Sequence, residues 1–281
     1  MKKETIGINQ IILSEFLIAI VYILVRFVKD FGNYNLAFFR ILFAALFIGV
    51  LFVFSRKYKL AKIKKEKLKI LVFGMLHGFI IIASFISLNL LSIASAVLLQ
   101  STAVVWMALF SVILLKEKIN LRIVFALLIS LIGILLLFTP QTFFIKESLF
   151  GTLAALFVGI FGGLVYVISK TFRTYDKVSL TFWQNLIALP FIIPLLFVQP
   201  LHFNLLNLTV VVLMGLFAAV SFVLLYKGLG VIKGTKASVL TLLYAVFSII
   251  LAFVLFHETI TLKETIGGLL ILVAAYLSVS Q

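Results

Sequence analysis

The sequence has no cysteine and few charged residues. The absence of cysteine excludes structural disulfides, thiolate metal sites and a cysteine nucleophile. Charged residues make up 12% of the 281 positions, whereas soluble globular proteins carry about 25%. Hydrophobic residues make up 64%, and the mean hydropathy is +1.30. The apolar runs exceed the roughly 18 residues that mark a candidate transmembrane helix. The sequence therefore predicts an all-α integral membrane protein.

Sequence motifs of several enzyme classes are also missing. There is no G-x-x-x-x-G-K-[ST] motif, so the chain holds no phosphate-binding loop of an ATP-driven motor. His257-Glu258 is not followed by a second histidine, because position 261 is Thr261, and this excludes the helical zinc-protease motif. No serine nucleophile elbow is present. We predict that the protein is not an enzyme and that it needs no cofactor.

The apolar runs define ten predicted spans, each long enough to cross a hydrocarbon core of about 30 Å. They are Gly7–Val28, Tyr34–Phe54, Ile70–Leu91, Ala94–Leu115, Asn120–Phe138, Leu149–Ser169, Ser179–Val198, Leu208–Leu229, Ala237–Phe256 and Leu262–Ser280. The connections are short except for the basic segment Ser55–Lys69. Most consecutive helices are therefore expected to be antiparallel neighbours.

Basic residues outnumber acidic residues by 24 to 9. If the N-terminus lies in the cytoplasm, nineteen of the 24 fall in cytoplasmic segments and three outside, with Arg26 and Arg40 inside spans. Under the positive-inside rule this bias predicts that both termini are cytoplasmic, in the inner or plasma membrane. The net charge of +15 is explained by this bias, so we expect no nucleic-acid partner.

An internal repeat relates the two halves of the chain at an offset of 141 residues. Without gaps, the offset aligns the acidic turn at Glu117 with the one at Glu258, each between apolar segments. The aliphatic identities around the turns are Leu88 with Leu229, Ala96 with Ala237, Leu99 with Leu240, Leu114 with Leu255, Ile119 with Ile260 and Leu121 with Leu262. We predict two five-helix repeats, residues 1–141 and 142–281. Because five is odd, the second repeat enters the membrane from the opposite side, which gives the inverted repeats of many secondary transporters.

Ionisable residues deep inside spans are candidates for function, since each costs about 2.5–3.5 kcal/mol at a helix centre on insertion scales. Glu15 in span 1 could bind a substrate amine or carry a coupling proton, or it could lock helix packing. Arg40 in span 2 could hold a substrate carboxylate, or it could snorkel to headgroups or pair with Asp30. His77 in span 3 lies at nearly the depth of Glu15 and could relay protons with it, although a simple hydrogen bond to a neighbouring carbonyl explains it as well.

Further polar and aromatic residues within or beside the spans could line a cavity for an amphipathic solute. The predicted lining residues are Gln100, Trp106, Tyr166, Trp183, Gln184 and Tyr244. The alternative for any one of the aromatic residues is ordinary packing, which is frequent in a chain with 30 phenylalanines. The turn residues Glu117 and Glu258 lie at membrane surfaces, so we interpret them as structural.

Several segments together resemble the drug/metabolite transporter superfamily, in particular its EamA-type members with two five-span repeats. The resemblance is carried by Arg40-Ile-Leu-Phe-Ala-Ala-Leu, Leu88-x₇-Ala96, Leu115-Lys-Glu117-Lys-Ile-Asn-Leu121, Gly133-Ile-Leu, Tyr226-Lys-Gly-Leu229, Ala237-Ser238, Phe256-His-Glu258-Thr-Ile-Thr-Leu262 and Gly267. It implies a ten-helix secondary transporter that exports amino acids or other metabolites through a cavity between the halves. This chain has Glu15 about where members often have tryptophan.

We therefore expect a secondary active transporter that works by alternating access. Its expected partners are a small-molecule substrate and the lipid bilayer, with proton or ion coupling and a monomeric or homodimeric state left open. Two alternatives come from other classes. A lipid-modifying enzyme would need a catalytic cluster at one interface, and a non-transporting scaffold or sensor would have a packed core without a cavity.

Overall fold

Apolar runs in a bilayer become helices, because a helix satisfies its backbone N–H and C=O groups within one segment. The computed structural model describes residues 2–28, 31–54, 66–91, 96, 99–137, 149–201, 204–257 and 259–279. Their α-helices are α1 (Lys2–Leu24), α2 (Asn33–Phe54), α3 (Lys67–Leu90), α4 (Ala103–Leu115), α5 (Leu121–Leu137), α6 (Leu149–Thr171), α7 (Lys177–Ile192), α8 (Leu205–Leu229), α9 (Gly234–Leu240), α10 (Leu243–Phe256) and α11 (Leu262–Val279). The described residues contain no strand, so the all-α prediction is confirmed.

Seven helical segments of the described chain are long and apolar enough to cross a membrane. They are Lys3–Phe27, Asn33–Phe54, Lys67–Leu88, Leu149–Thr171, Lys177–Phe197, Leu205–Leu229 and Gly234–Phe256. Three shorter apolar helices, Leu99–Leu115, Leu121–Leu136 and Thr265–Val279, lie where spans 4, 5 and 10 are predicted. Helix α1 starts at Lys2 rather than at the predicted Gly7, since a helix can continue past the apolar run when its polar side chains reach water.

The helices of the two halves interleave. Helix α1 packs against α8 and α10, while α3 packs against α6 and α7. Helix α2 packs against α7 and α8, α4 against α6 and α9, and α5 against α11 at the edge of the bundle. The largest core cluster includes the fully buried side chains of Phe73 in α3, Phe172 just after α6 and Tyr226 in α8.

Small residues allow the backbones of paired helices to approach closely. A Cβ atom on Gly228 of α8 would lie 2.7 Å from the carbonyl oxygen of Gly7 in α1 and 2.6 Å from Cγ1 of Ile11. Real Cβ atoms do not come this near to backbone oxygens, so only glycine fits there. This is the small-residue packing on which membrane helices rely where the hydrophobic effect cannot drive association.

Two apolar helical segments of the described chain, Leu99–Leu115 and Gly234–Phe256, contain a short interruption. The helical turn at 99–101 is separated from α4 by Thr102, and α9 is separated from α10 by Thr241 and Leu242. Helices α4 and α10 are each followed by a residue in the left-handed backbone conformation, Lys116 with φ of 53° and His257 with φ of 54°. These two helix ends are 141 residues apart, the offset of the internal repeat.

Candidate functional site

A cavity of about 120 Å³ lies between the two halves, close to both helix interruptions. Helices α1, α2, α3, α4, α6 and α8 contribute to its wall, together with the helical turn at 99–101, the break at Thr241 and Leu242, and Tyr244 at the start of α10. The lining residues on which the site is built are Glu15, Tyr22, Arg40, His77, Ser84, Gln100, Ser101, Gly162, Tyr166, Ser221, Thr241 and Tyr244. Both halves of the sequence therefore form one site, as is usual for ligand sites between helices of bundles.

The charged side chains of the cavity have no protein counter-ion in the described part of the chain. Glu15 is 5% exposed, and neither it nor Arg40 makes a hydrogen bond or ion pair with another described residue. Arg40 is near enough to Tyr22, Tyr166 and His77 for electrostatic interaction. Asp30, the alternative partner of Arg40, lies outside the described residues. Glu15 is buried and Arg40 is partly buried, and an ionisable group withdrawn from water without a partner is costly. Glu15 and Arg40 are therefore the strongest candidates for binding a ligand.

His77 lies in the same cavity as Glu15 but contacts an aromatic ring. Its imidazole stands edge-on to Phe222, with the two centroids 5.2 Å apart and the planes at 87°. It makes no hydrogen bond within the described ranges, and this differs from the carbonyl-bonded alternative. The structure thus places Glu15 and His77 in one cavity, while a proton relay between them stays a prediction.

Hydrogen bonds fix the polar residues beside the α4 interruption. Gln100 Nε2 donates to Ser87 Oγ at 2.9 Å, and Ser84 Oγ donates to Gln100 Oε1 at 3.2 Å. Ser101 Oγ and the Tyr244 hydroxyl share a hydrogen bond of 2.7 Å. The Tyr244 ring stacks on Tyr22 with centroids 5.6 Å apart. Both interrupted segments are therefore joined directly at the cavity, and their polar groups are held in one orientation.

The predicted lining residues fall into two groups in the structure. Glu15, Arg40, His77, Gln100, Tyr166 and Tyr244 all line the cavity. Trp106, Trp183 and Gln184 are not among its lining residues. Trp106 stacks on Phe110 with ring centroids 6.0 Å apart, and Trp183 packs edge-on against Phe182 with centroids 5.6 Å apart. Gln184 Oε1 accepts a 2.7 Å hydrogen bond from the Tyr226 hydroxyl. Apolar composition alone does not reveal which face of a helix points inward.

Five polar lining residues were not predicted: Tyr22, Ser84, Ser101, Ser221 and Thr241. Two of them could have been predicted from their spacing to predicted residues, since Ser101 follows Gln100 directly and Tyr22 is on the same helix as Glu15. Tyr22 lies seven residues after Glu15, which is two helical turns and hence the same face. Among the described residues, no group of three or more His, Asp or Glu side chains could hold a metal ion.

A second polar cluster, the Glu117 junction, joins three segments at the end of α4. Glu117 Oε1 accepts from the Gly234 N–H at 2.9 Å, and Oε2 accepts from the Thr235 N–H at 3.1 Å, so the carboxylate caps the start of α9. Lys170 at the end of α6 forms an ion pair with Oε1 at 3.1 Å and also donates to the Ile232 carbonyl. The expectation that Glu117 is structural agrees with this geometry, whereas its counterpart Glu258 lies outside the described residues.

The surroundings of Glu117 change the acidity of its carboxyl. Burial by itself raises the pKa, but the Gly234 N–H, the positive charge of Lys170 and the Thr235 N–H together outweigh it. The pKa of Glu117 therefore lies below its ordinary value, and the carboxylate is ionised at neutral pH.

Comparisons with known proteins agree with the architecture. A model of the EamA-like transporter family matches residues 5–139 and 149–280. An uncharacterized transporter of Archaeoglobus fulgidus is 25% identical over 262 residues, with 90% of each chain covered. Human solute carrier family 35 member G1 is 23% identical over 96% of this chain and 77% of its own length. A solved crystal structure with 19% identity superposes with a TM-score of 0.84 over 99% of this chain and 96% of that one, which shows a shared fold. The family model covers nearly the whole sequence, and the chain therefore belongs to the EamA-like transporter family.

Proposed function

We propose that this membrane protein is a secondary active transporter that exports a small amphipathic metabolite, such as an amino acid, by alternating access. The observation that carries the proposal is the cavity between the halves, in which Glu15 and Arg40 have no protein partner in the described part of the chain. Arg40 would hold a substrate carboxylate. Glu15 would bind a substrate amine or carry a coupling proton.

An inverted-repeat architecture is supported by the way the helices pair. Each helix of the first half has a counterpart in the second half: α1 corresponds to α6, α2 to α7, α3 to α8, α4 to α10 and α5 to α11. Under this correspondence the observed contact of α1 with α8 is equivalent to the observed contact of α6 with α3. The contact of α1 with α10 becomes that of α6 with α4, and α2–α8 becomes α7–α3. The two family matches and the equivalent helix ends at Lys116 and His257 support the same division near residue 141. Seven long and three shorter apolar helices would complete ten spans.

The Glu117 junction suggests where the transporter would close. It joins the end of α4 and the end of α6 to the start of α9, which continues through a break into α10. With both termini cytoplasmic, as the charge bias predicts, the junction lies on the cytoplasmic side. Access from that side would then require Glu117 to release α9, and the two arrangements would be the alternating states.

The two alternatives fit the structure less well. A scaffold or sensor would have a packed core, whereas the centre of this bundle holds a cavity lined by charged groups. A lipid-modifying enzyme would need catalytic groups concentrated at one interface, and Glu15 and His77 instead lie within helices α1 and α3, away from their ends. The relatives are named an uncharacterized transporter and a solute carrier family 35 member.

The proposal is tested by measuring flux through purified protein in liposomes, with a panel of amino acids and an imposed pH gradient. Accumulation that follows the gradient would establish secondary transport. We expect Glu15→Gln to lose gradient-driven accumulation, because a neutral amide can neither carry the proton nor pair with an amine. Glu66→Gln is the matched control, since Glu66 pairs with Lys69 at the surface, where such pairs contribute little. Normal transport by Glu15→Gln at every pH would contradict the assigned role of Glu15.

A further inference from the structure

We propose that Gly162 sets the size of the apolar group that the cavity accepts, so that it is a specificity-determining residue. The inference rests on the proposed transport function and adds the position at which the substrate's apolar part would lie. The cavity has a charged side and an apolar side, and Gly162 is the glycine of α6 with open space at its Cβ position.

The cavity has two chemically different sides. The polar lining side chains that lack a protein hydrogen bond or ion pair within the described ranges are those of Glu15, Tyr22, Arg40, His77 and Tyr166. Four of these five come from α1, α2 and α3. The polar groups next to α4 are already paired, as described for Gln100 and Ser101. The remaining wall of α3, α4 and α6 is apolar, with lining residues Ile80, Ile81, Ala103, Val104, Val158 and Val165.

Gly162 lies in the apolar wall, and its missing side chain leaves room in the cavity. Outside the adjacent turns of α6, the nearest described atom to a Cβ built on Gly162 is Cβ of Ala103, at 4.0 Å, and no described backbone atom of another helix lies closer. A methyl group would therefore fit without displacing the helices. Glycine is unfavourable inside a helix relative to alanine. Close packing against another helix does not explain why this position is a glycine. The open space that it leaves in the cavity explains it.

The two glycines of α6 that face α4, Gly159 and Gly163, behave differently from Gly162. A Cβ on Gly163 would lie 2.7 Å from Met107 N and 2.8 Å from Ala103 O, and one on Gly159 would lie 3.0 Å from Leu99 O. Gly159 and Gly163 are thus required for the close packing of α6 against α4. Because packing is explained by these two, the third small residue is free to shape the cavity.

This geometry defines a class of substrate. A charged head would lie between Glu15 and Arg40, and an apolar substituent would lie against Val104, Val158 and the space over Gly162. A side chain added at position 162 would occupy that space directly. It would exclude bulky apolar substituents while leaving the charged head group in place.

The test compares the wild type with Gly162→Ala and Gly162→Leu in liposomes, using L-alanine, L-valine, L-leucine and L-phenylalanine as probes. These share one zwitterionic head and differ in apolar volume. We expect Gly162→Leu to lower the flux of phenylalanine relative to alanine by about tenfold or more, as hydrophobic pockets discriminate by size. Gly162→Ala should give a smaller shift of the same sign. Gly268→Leu is the matched control, since a Cβ there meets nothing within 4 Å in α11.

A second measurement separates this inference from the proposed function. Thermal stabilisation of the detergent-solubilised protein by the same four amino acids reports binding without transport. Binding with the predicted size shift but no flux would reject transport and uphold the role of Gly162. An unchanged phenylalanine-to-alanine ratio in Gly162→Leu, an equal loss for all four probes, or no binding and no flux for any of them would overturn the role of Gly162.

Discussion

Replacing Glu117 by alanine is expected to lower the thermal unfolding temperature of the purified protein by several degrees. The substitution leaves the N–H groups of Gly234 and Thr235 without their acceptor, and it leaves Lys170 without its carboxylate. A hydrogen bond to a charged group contributes about 1.5–3 kcal/mol, and losing its partner leaves a buried donor unsatisfied. A loss of about 2–3 kcal/mol corresponds to a fall of roughly 4–12 °C in a chain of about this size.

The measurement is thermal unfolding in detergent, followed by the helical circular dichroism signal. Glu117→Gln should lie between the wild type and Glu117→Ala, because the amide oxygen still accepts a hydrogen bond but carries no charge for Lys170. Glu66→Gln serves as the control: its ion pair with Lys69 is at the surface, where such pairs contribute about 0–1 kcal/mol. If Glu117→Ala unfolds at the wild-type temperature, the Glu117 junction does not stabilise the protein.

The contribution of Glu117 should also depend on pH. Its pKa is lowered in the folded protein, so the folded state binds fewer protons than the unfolded state near the ordinary carboxyl pKa of about 4.3. The stabilisation is then fully present above that pH and is lost as the pH falls through the lower, folded value. The difference in unfolding temperature between the wild type and Glu117→Ala should be constant near neutral pH and should shrink below about pH 4. A difference that grows on acidification would contradict the assignment.

The Glu117 junction illustrates what the sequence could and could not predict. Hydropathy located the helices, because the bilayer imposes a length and an apolar composition on every span. The acidic turn at Glu117 was recognisable as a structural feature, since it interrupts an apolar region. Its partners, Lys170 and Gly234, lie 53 and 117 residues further along the chain. Such pairings depend on how the helices interleave. Because the helices have similar apolar sequences, the sequence does not show which helices pack against each other.

The same limit applies to the cavity. Glu15, Arg40 and His77 were identified because a buried charge is rare in a membrane helix, and all three line the cavity. Trp183 and Gln184 are polar or aromatic, which predicts a place in the lining, but composition does not show which face of α7 points inward. The role of Gly162 depends on the distance to Ala103 across two helices, which only the three-dimensional structure provides.

Replacing Arg40 by glutamine is expected to remove the preference of the transporter for solutes with a carboxylate. Arg40 is the basic side chain of the cavity lining, and an ionic hydrogen bond contributes about 1.5–3 kcal/mol, which is roughly a 10- to 100-fold change in affinity. Competition by an amino acid and by its carboxamide against a labelled substrate measures this preference in liposomes. The wild type should favour the carboxylate by about tenfold or more, on the same energies, and Arg40→Gln should not discriminate.

Two further variants separate recognition of the carboxylate from support of the fold. Arg40→Lys keeps the positive charge but loses the planar group that can hold a carboxylate through two hydrogen bonds, so it should retain part of the preference. Arg26→Gln should retain all of it, because Arg26 lies just after α1 and over the Phe256 ring, 5.2 Å from the ring centroid, and is not among the residues that line the cavity. A structural role for Arg40 would reduce transport of the acid and the amide equally. Only a group that contacts the carboxylate would change their ratio, so an unchanged ratio in Arg40→Gln would exclude Arg40 from substrate recognition.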